Sequence, residues 1–200
     1  LRIGARIAME KTGDPRVWRA PWEGLMGLLV SPSRGVLWFS PFLLLAPWGL
    51  RGLAAQPPPQ RDATLFAAAL GLAFLGVAAT WFDWWGGWAY GYRPIVDSMP
   101  LWILACTPAV ARCARSRAGR VGLALALAWS VGVQGLGAFC SDFAEWNEGS
   151  PAHPHEDIDR HRERLWDVAD SQILYHLRQP HLKRQMILET ANQEAAPLTP

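Results

Sequence analysis

The stretch ATLFAAALGLAFLGVAATWF, from Ala63 to Phe82, decides the fold. It carries no charge, and about 20 mostly apolar residues are what an α-helix needs to cross the roughly 30 Å hydrocarbon core of a bilayer. Outward from it the depletion continues. Between Ala63 and Ala111 the only charges are Asp83, Arg93 and Asp97, so Pro94–Ala111 forms a second run, interrupted near its start by Asp97. Val121–Ser141 is a third, uncharged run. Upstream, Gly35–Leu50 is shorter and flanked by Arg34 and Arg51, and Gly52–Ala55 extends it while Arg51 snorkels. Runs this apolar, with almost no polar face, argue against soluble-core helices. They predict an all-α integral membrane fold of about four transmembrane helices, near 35–53, 63–82, 95–111 and 121–141. Residues 1–34 then form an external or interfacial segment, and 142–200 a short, partly helical external tail.

Composition agrees. Half of the 200 residues are hydrophobic, 18% are charged and twelve are Trp, whereas a soluble domain carries about 25% charged residues. This excludes a disordered chain, a collagen, a disulfide scaffold and a generic soluble enzyme. Residues 1–141 hold 13 of the 19 Lys and Arg but 6 of the 17 acids. No basic stripe remains outside the apolar runs, which argues against a nucleic-acid partner. Cys106 and Cys140 lie in apolar runs and Cys113 borders one, so the three cysteines read as buried free thiols. The chain opens on Leu without a signal-peptide pattern and reads as a C-terminal fragment of something longer.

Arginine placement sets the expected direction. Arg51 and Arg61 lie between the first and second spans, and Arg112, Arg115, Arg117 and Arg120 between the third and fourth. Those links are expected to be cytoplasmic, and loop 83–97 and the tail external. Arg16, Arg19 and Arg34, ahead of the first span, run against that rule. Pro41 and Pro47 are expected to kink or locally unwind the first span. Gly71, Gly76, Gly132, Gly135 and Gly137 suit close helix packing.

Two polar islands fall at the expected outer surface. In Trp81–Pro94, Trp84, Trp85, Trp88, Tyr90 and Arg93 stand among Asp83, Gly86, Gly87 and Gly91. An interfacial aromatic belt accounts for the rings. Glycines that permit sharp turns, aromatic faces suited to sugars and lipid chains, and an Arg fork matched to phosphate also describe a binding surface. Both readings stand. The other island is Ser31-Pro32-Ser33-Arg34-Gly35, where Arg34 could approach Arg93 beside a lipid phosphate, or pair with Asp83 or Asp97. Asp97, just inside a span, needs a partner, and Arg93 one turn earlier is the nearest candidate.

Trp22-Glu23-Gly24-Leu25 through Leu28–Gly35, followed by Ser40-Pro41, resembles a motif of bacterial membrane proteins of the GT-C glycosyltransferase superfamily. These proteins are similar to dolichyl-phosphate-mannose-protein mannosyltransferases. Trp84-Trp85-Gly86-Gly87-Trp88 with Tyr90-Gly91, Arg93 and Asp97–Pro100 resembles a second segment of the group. Arg164-Leu165-Trp166-Asp167 with Asp170-Ser171-Gln172-Ile173 resembles a third. The family pattern more often has Pro where Tyr92 stands. The resemblance implies an enzyme of the bacterial inner membrane that moves a sugar from a polyprenyl-phosphate donor to an acceptor on the external, periplasmic side. No cofactor is implied beyond the lipid-linked sugar itself. It implies a catalytic carboxylate in the first external loop of the full protein, outside this sequence, so no catalytic residue is assigned here. Arg34, Trp84, Trp85, Trp88, Tyr90 and Arg93 are the candidate substrate-binding residues. Ser33, Gly35, Asp83, Gly86, Gly87 and Asp97 are the supporting ones. The other function class is a non-enzymatic transporter or flippase subunit that binds a lipid phosphate. Such proteins usually place ionisable groups near the bilayer midplane, whereas here they gather at its boundary.

The tail carries all five histidines, including His153, His155 and His161. Pro154 and the lack of helical His spacing weigh against zinc. Asp167–Arg178 is expected to form a short helix with Leu165, Ala169, Ile173 and Leu177 on one face, packed over the outer loops.

Overall fold

The computed structural model describes residues 20–53, 56–140 and 145–178, together with Gly4, Ile7, Met9 and Trp18. The described chain is helical. In order come α1 (Pro21–Val30), α2 (Val36–Phe39), a 3-10 turn (Pro41–Leu45), α3 (Ala46–Arg51) and α4 (Pro58–Thr80). A second 3-10 turn (Arg93–Ser98) leads into α5 (Met99–Cys113), and α6 is Arg117–Cys140. The tail holds α7 (Glu145–Glu148), a third 3-10 turn (Arg162–Trp166) and α8 (Gln172–Arg178).

Three helical stretches are long and apolar enough to cross a membrane: Pro58–Thr80, Arg93–Cys113 and Arg117–Phe139. At 1.5 Å per residue, α4 alone is about 35 Å long. It starts where Pro57 and Pro58 can be accommodated, in a first turn whose N–H groups have no helical acceptor. It ends where Trp81 turns extended. Ser116 opens α6, its Oγ accepting the Gly119 N–H at 3.0 Å. Leu65, Phe66, Leu70, Leu72 and Val77 on α4 are exposed, as are Val121, Leu125, Val131 and Phe139 on α6. Apolar bands of this extent fit hydrocarbon or further protein, not water.

The first expected span, where Pro41 and Pro47 predict a kink or local unwinding, is interrupted and is not one α-helix. Residues 36–51 form α2, the 3-10 turn and α3, broken at Ser40, whose backbone is not helical (φ −140°, ψ 64°). Pro41 and Pro47 each sit in the first turn of a new segment, where a missing N–H costs no hydrogen bond. The broken segment still runs the length of the bundle, from Arg34 at one end to Gly52, packed against Arg112, at the other. Its interruptions are served by neighbours, as buried backbone groups require. Trp129 Nε1 donates to the Trp38 carbonyl at 2.7 Å, Cys106 Sγ lies 3.9 Å from the Phe42 carbonyl, and Ser40 Oγ is 2.9 Å from Tyr92 Oη.

Close packing explains several glycines. A Cβ at Gly24 would stand 2.1 Å from the Ala79 carbonyl of α4, and one at Gly49 2.1 Å from the Ala105 carbonyl of α5. Of the glycines expected to pack, Gly71 lies under Trp102 and Gly137 under Tyr90, while Gly76, Gly132 and Gly135 face open space.

The hairpin connections place the two ends. Loop 83–92 and α7 to α8 gather at one end, and Arg51, Arg61, Arg112, Arg115, Arg117 and Arg120 at the other. The tail packs over loop 83–92, with a face that differs from the expected one. Leu165 and Ile173 are buried, whereas Ala169 and Leu177 are exposed, because α8 begins only at Gln172.

Candidate functional site

Both islands and the tail converge on Arg34. The chain turns sharply after α1. Ser31 Oγ accepts the N–H groups of Ser33 and Arg34 and donates to the Leu165 carbonyl at 2.6 Å. Gly35 closes the turn onto Ser31, leaving no room for a Cβ. This aims the Arg34 guanidinium inward, where it is fully buried. It donates to Gln172 Oε1, to the Gly87 carbonyl at 3.1 Å and to Asn147 Oδ1 at 2.8 Å, and lies 5.4 Å from the Trp146 ring centre. Burial pulls its pKa down to about 9, while Asp83 and Asp159 support the charge, so it stays protonated at neutral pH.

The aromatic loop is shaped for this. Gly86, Gly87 and Gly91 all have positive φ (79°, 61° and 66°), which L-residues with side chains rarely adopt. Asp83 ties the first turn, its carboxylate accepting the Gly87 N–H at 3.0 Å. Gln172 fastens the loop to the tail by donating to the Ala89 carbonyl at 2.8 Å and accepting the Gly91 N–H at 3.0 Å.

A second buried arginine organises the tail. Arg164 donates from Nε and Nη2 to Asp170 Oδ2 (3.2 and 3.0 Å), and also to the carbonyls of Trp146 and Glu156. Its guanidinium lies 4.8 Å from the Trp146 ring centre. Trp146 is thus shared by two buried cations, and its Nε1 donates to the Asp170 carbonyl at 2.7 Å.

These positions change the roles expected of several residues. Arg34 is saturated with protein acceptors except at Nε, which has none among the described residues. It is a structural centre, not an accessible phosphate ligand. Trp84 and Trp85 are buried instead of forming a surface. Trp84 lies against Gly27, and Trp85 donates to Asp159 at 2.8 Å. Trp88 is 36% exposed. Ser33 is buried, with its hydroxyl unpartnered among the described residues. The ion pair expected of Asp97 is not formed among the described residues, where Asp97 and Arg93 are both exposed. Their 3-10 turn, unlike an α-helix, does not stack residues four apart.

Arg93, by contrast, is exposed and borders an open pocket. This pocket, of about 210 Å³, is lined by Ala89, Tyr90, Tyr92, Arg93, Val96 and Gln134. Tyr90 Oη donates to the Val133 carbonyl at 2.9 Å, and Gln134 Nε2 donates to Tyr92 Oη at 3.0 Å, so the wall is held rigid by α6. Gln134, Gln172, Asn147, Trp146, Arg164 and Asp170 were not among the candidates. The only signal for them is that Arg164, Asp170 and Gln172 fall within the family-like tail motifs. Among the described residues, no group of three His, Cys, Asp or Glu is placed to hold a metal ion.

His153 bridges Glu156 (2.9 Å) and Asp167 (3.3 Å). Burial disfavours its charged form, but the bonds to Asp167 and Glu156 outweigh that and raise its pKa above 6.5. The same contact leads the causes that lower Asp167 below 3.8. The histidine's contribution is therefore complete below pH 6.5 and lost as pH rises through the raised value. That of Asp167 is present above its ordinary pKa and lost as pH falls through the lowered one. Proteolysis of the tail should be faster at about pH 8.5 than at about pH 5.5, and His153→Gln should abolish the difference. An unchanged pH ratio in His153→Gln would disprove the bridge.

The described residues thus form an all-helical fold with three membrane-length helices, capped at one end by a tail with a polar core. Comparison with protein-family models, curated proteins and solved structures finds no match to this chain.

Proposed function

We propose that this chain is part of a multi-pass membrane glycosyltransferase that uses a polyprenyl-phosphate-linked sugar on the external face. α4, the Arg93–Cys113 stretch and α6 cross the bilayer, and residues 36–51 make a fourth, discontinuous crossing. The arginine-rich end is cytoplasmic by the positive-inside rule. Loop 83–97 and the tail are external, in a bacterial inner membrane. The observation that carries the reading is Arg93. It is an exposed guanidinium with no side-chain partner among the described residues, on a pocket walled by Tyr90, Tyr92 and Gln134 at the tail end. Its planar fork suits the donor's phosphate, Trp88 and Tyr90 offer ring surface to sugar or lipid, and the buried islands hold the loop in place. The resemblance of the three motifs to GT-C enzymes supports the same assignment, with the catalytic carboxylate outside this sequence.

Sugar transfer from a polyprenyl-phosphate donor, assayed in membranes carrying the protein, is the test. Arg93→Ala should lower kcat/KM roughly ten- to hundred-fold, the equivalent of about 1.5–3 kcal/mol for a hydrogen bond to a charged group. Arg93→Lys should recover only part of it, and Trp129→Phe should have a much smaller effect. Wild-type turnover by Arg93→Ala at equal protein level would reject the assignment.

A further inference from the structure

A further cavity lies at the other end of the bundle. About 510 Å³ in volume, it opens between the first turns of α4 and the C-terminal half of α5. Gln60 and Thr64 line it from α4, and Leu104, Thr107, Arg112 and Arg115 from α5 and the turn that follows it. From Arg112 to Leu104 the groove follows α5 for about 12 Å. Its upper part is cationic and polar, and its lower part apolar. Pro108, on its lining, has no N–H to offer the Leu104 carbonyl one turn earlier, which leaves an acceptor on that wall. Arg115 makes no side-chain bond among the described residues. Arg112 donates to the Trp48 carbonyl at 3.4 Å. Nothing in the proposed transfer reaction uses this end.

We infer that this groove binds an anionic glycerophospholipid of the cytoplasmic leaflet. Its phosphate would lie against Arg112 and Arg115, its glycerol region against Thr107 and the Leu104 carbonyl, and one acyl chain between α4 and α5. Charge complementarity argues for this occupant. Two arginines without a carboxylate partner among the described residues face the leaflet where anionic lipids concentrate, and basic pockets between transmembrane helices on that side suit anionic headgroups. A zwitterionic lipid would bring its own cation against the two guanidiniums. The inference rests on the membrane-spanning reading but not on the transferase activity.

Native mass spectrometry of the full chain, released from nanodiscs of phosphatidylcholine with and without phosphatidylglycerol, tests it. The wild type should retain one phosphatidylglycerol in preference to phosphatidylcholine. Arg112→Gln with Arg115→Gln should weaken retention roughly 30-fold. At 1.4 kcal/mol per tenfold that is about 2 kcal/mol, or about 1 per arginine. Arg112→Lys with Arg115→Lys should keep most of it, which separates loss of charge from loss of fold. Arg117→Gln with Arg120→Gln, outside the groove, should leave it unchanged. Equal loss in that second pair, or equal retention of both lipids, would overturn the inference. Extraction of the wild-type chain from membranes by alkaline carbonate would overturn the spanning reading as well. A carbonate-resistant chain without lipid preference would defeat only the lipid site.

Discussion

Arg34→Ala should detach the tail from the bundle and cost about 3–5 kcal/mol, among the largest single-residue effects in this protein. The side chain donates to three segments at once: loop 83–92 through the Gly87 carbonyl, α7 through Asn147 and α8 through Gln172. Truncation removes charge-assisted bonds and leaves buried acceptors without their donor, at about 1–3 kcal/mol for each group left unsatisfied. It also opens a cavity beside Trp146. Arg34→Lys should rescue little, since one ammonium cannot reach acceptors arranged around a planar fork. The measurement is denaturant-dependent proteolysis of residues 145–178, with Trp146 fluorescence as a second reading. Arg93→Ala serves as the control. That residue is exposed, so its loss should change stability by no more than about 0.5 kcal/mol. Equal stability of the two variants would show that Arg34 does not join the tail to the bundle.

Breaking the Arg164–Asp170 pair should cost about as much, roughly 3–5 kcal/mol for Asp170→Ala alone. Both side chains are buried, at 0% and 3% exposure, so the surviving guanidinium would keep its desolvation cost without its counter-charge. Arg164→Ala should be equally severe, because the carbonyls of Trp146 and Glu156 also lose their donor. The double variant removes both charges, and its cost should fall short of the sum by about 1–3 kcal/mol, as expected for directly coupled residues. The cycle is read from tail proteolysis, as before. Strict additivity would mean that the two groups do not stabilise each other. Arg164 and Arg34 share the Trp146 ring, so combining Arg164→Ala with Arg34→Ala should also be less than additive.

The membrane-length helices were legible because hydropathy is local: a window of about 20 residues carries the whole signal. The break at Ser40 was half legible. Pro41 and Pro47 announced a disturbance, but whether it became a kink or a break at Ser40 depended on donors from other helices, such as Trp129 and Cys106. The glycines of loop 83–92 were read as turn formers, and Gly86, Gly87 and Gly91 have the positive φ that role requires. The tryptophans misled. Their type fits a headgroup belt and a packed core equally well, and only the close approach of α1 to Trp84 and of Asp159 to Trp85 put both rings inside.

By itself the sequence determined the helical class, the three long apolar helices, the end at which arginines collect and the positions of the polar islands. Each of these is a property of consecutive residues. Tertiary structure alone decided which arginine is buried and which is open. Arg34 and Arg93 look alike in sequence, each beside glycine or proline at the edge of an apolar run. The partners that bury Arg34 lie 53, 113 and 138 residues away in the chain. No local pattern encodes separations of that size. They arise because α1, loop 83–92 and the tail are folded onto one end of the bundle, where a guanidinium removed from water must find its acceptors within the protein.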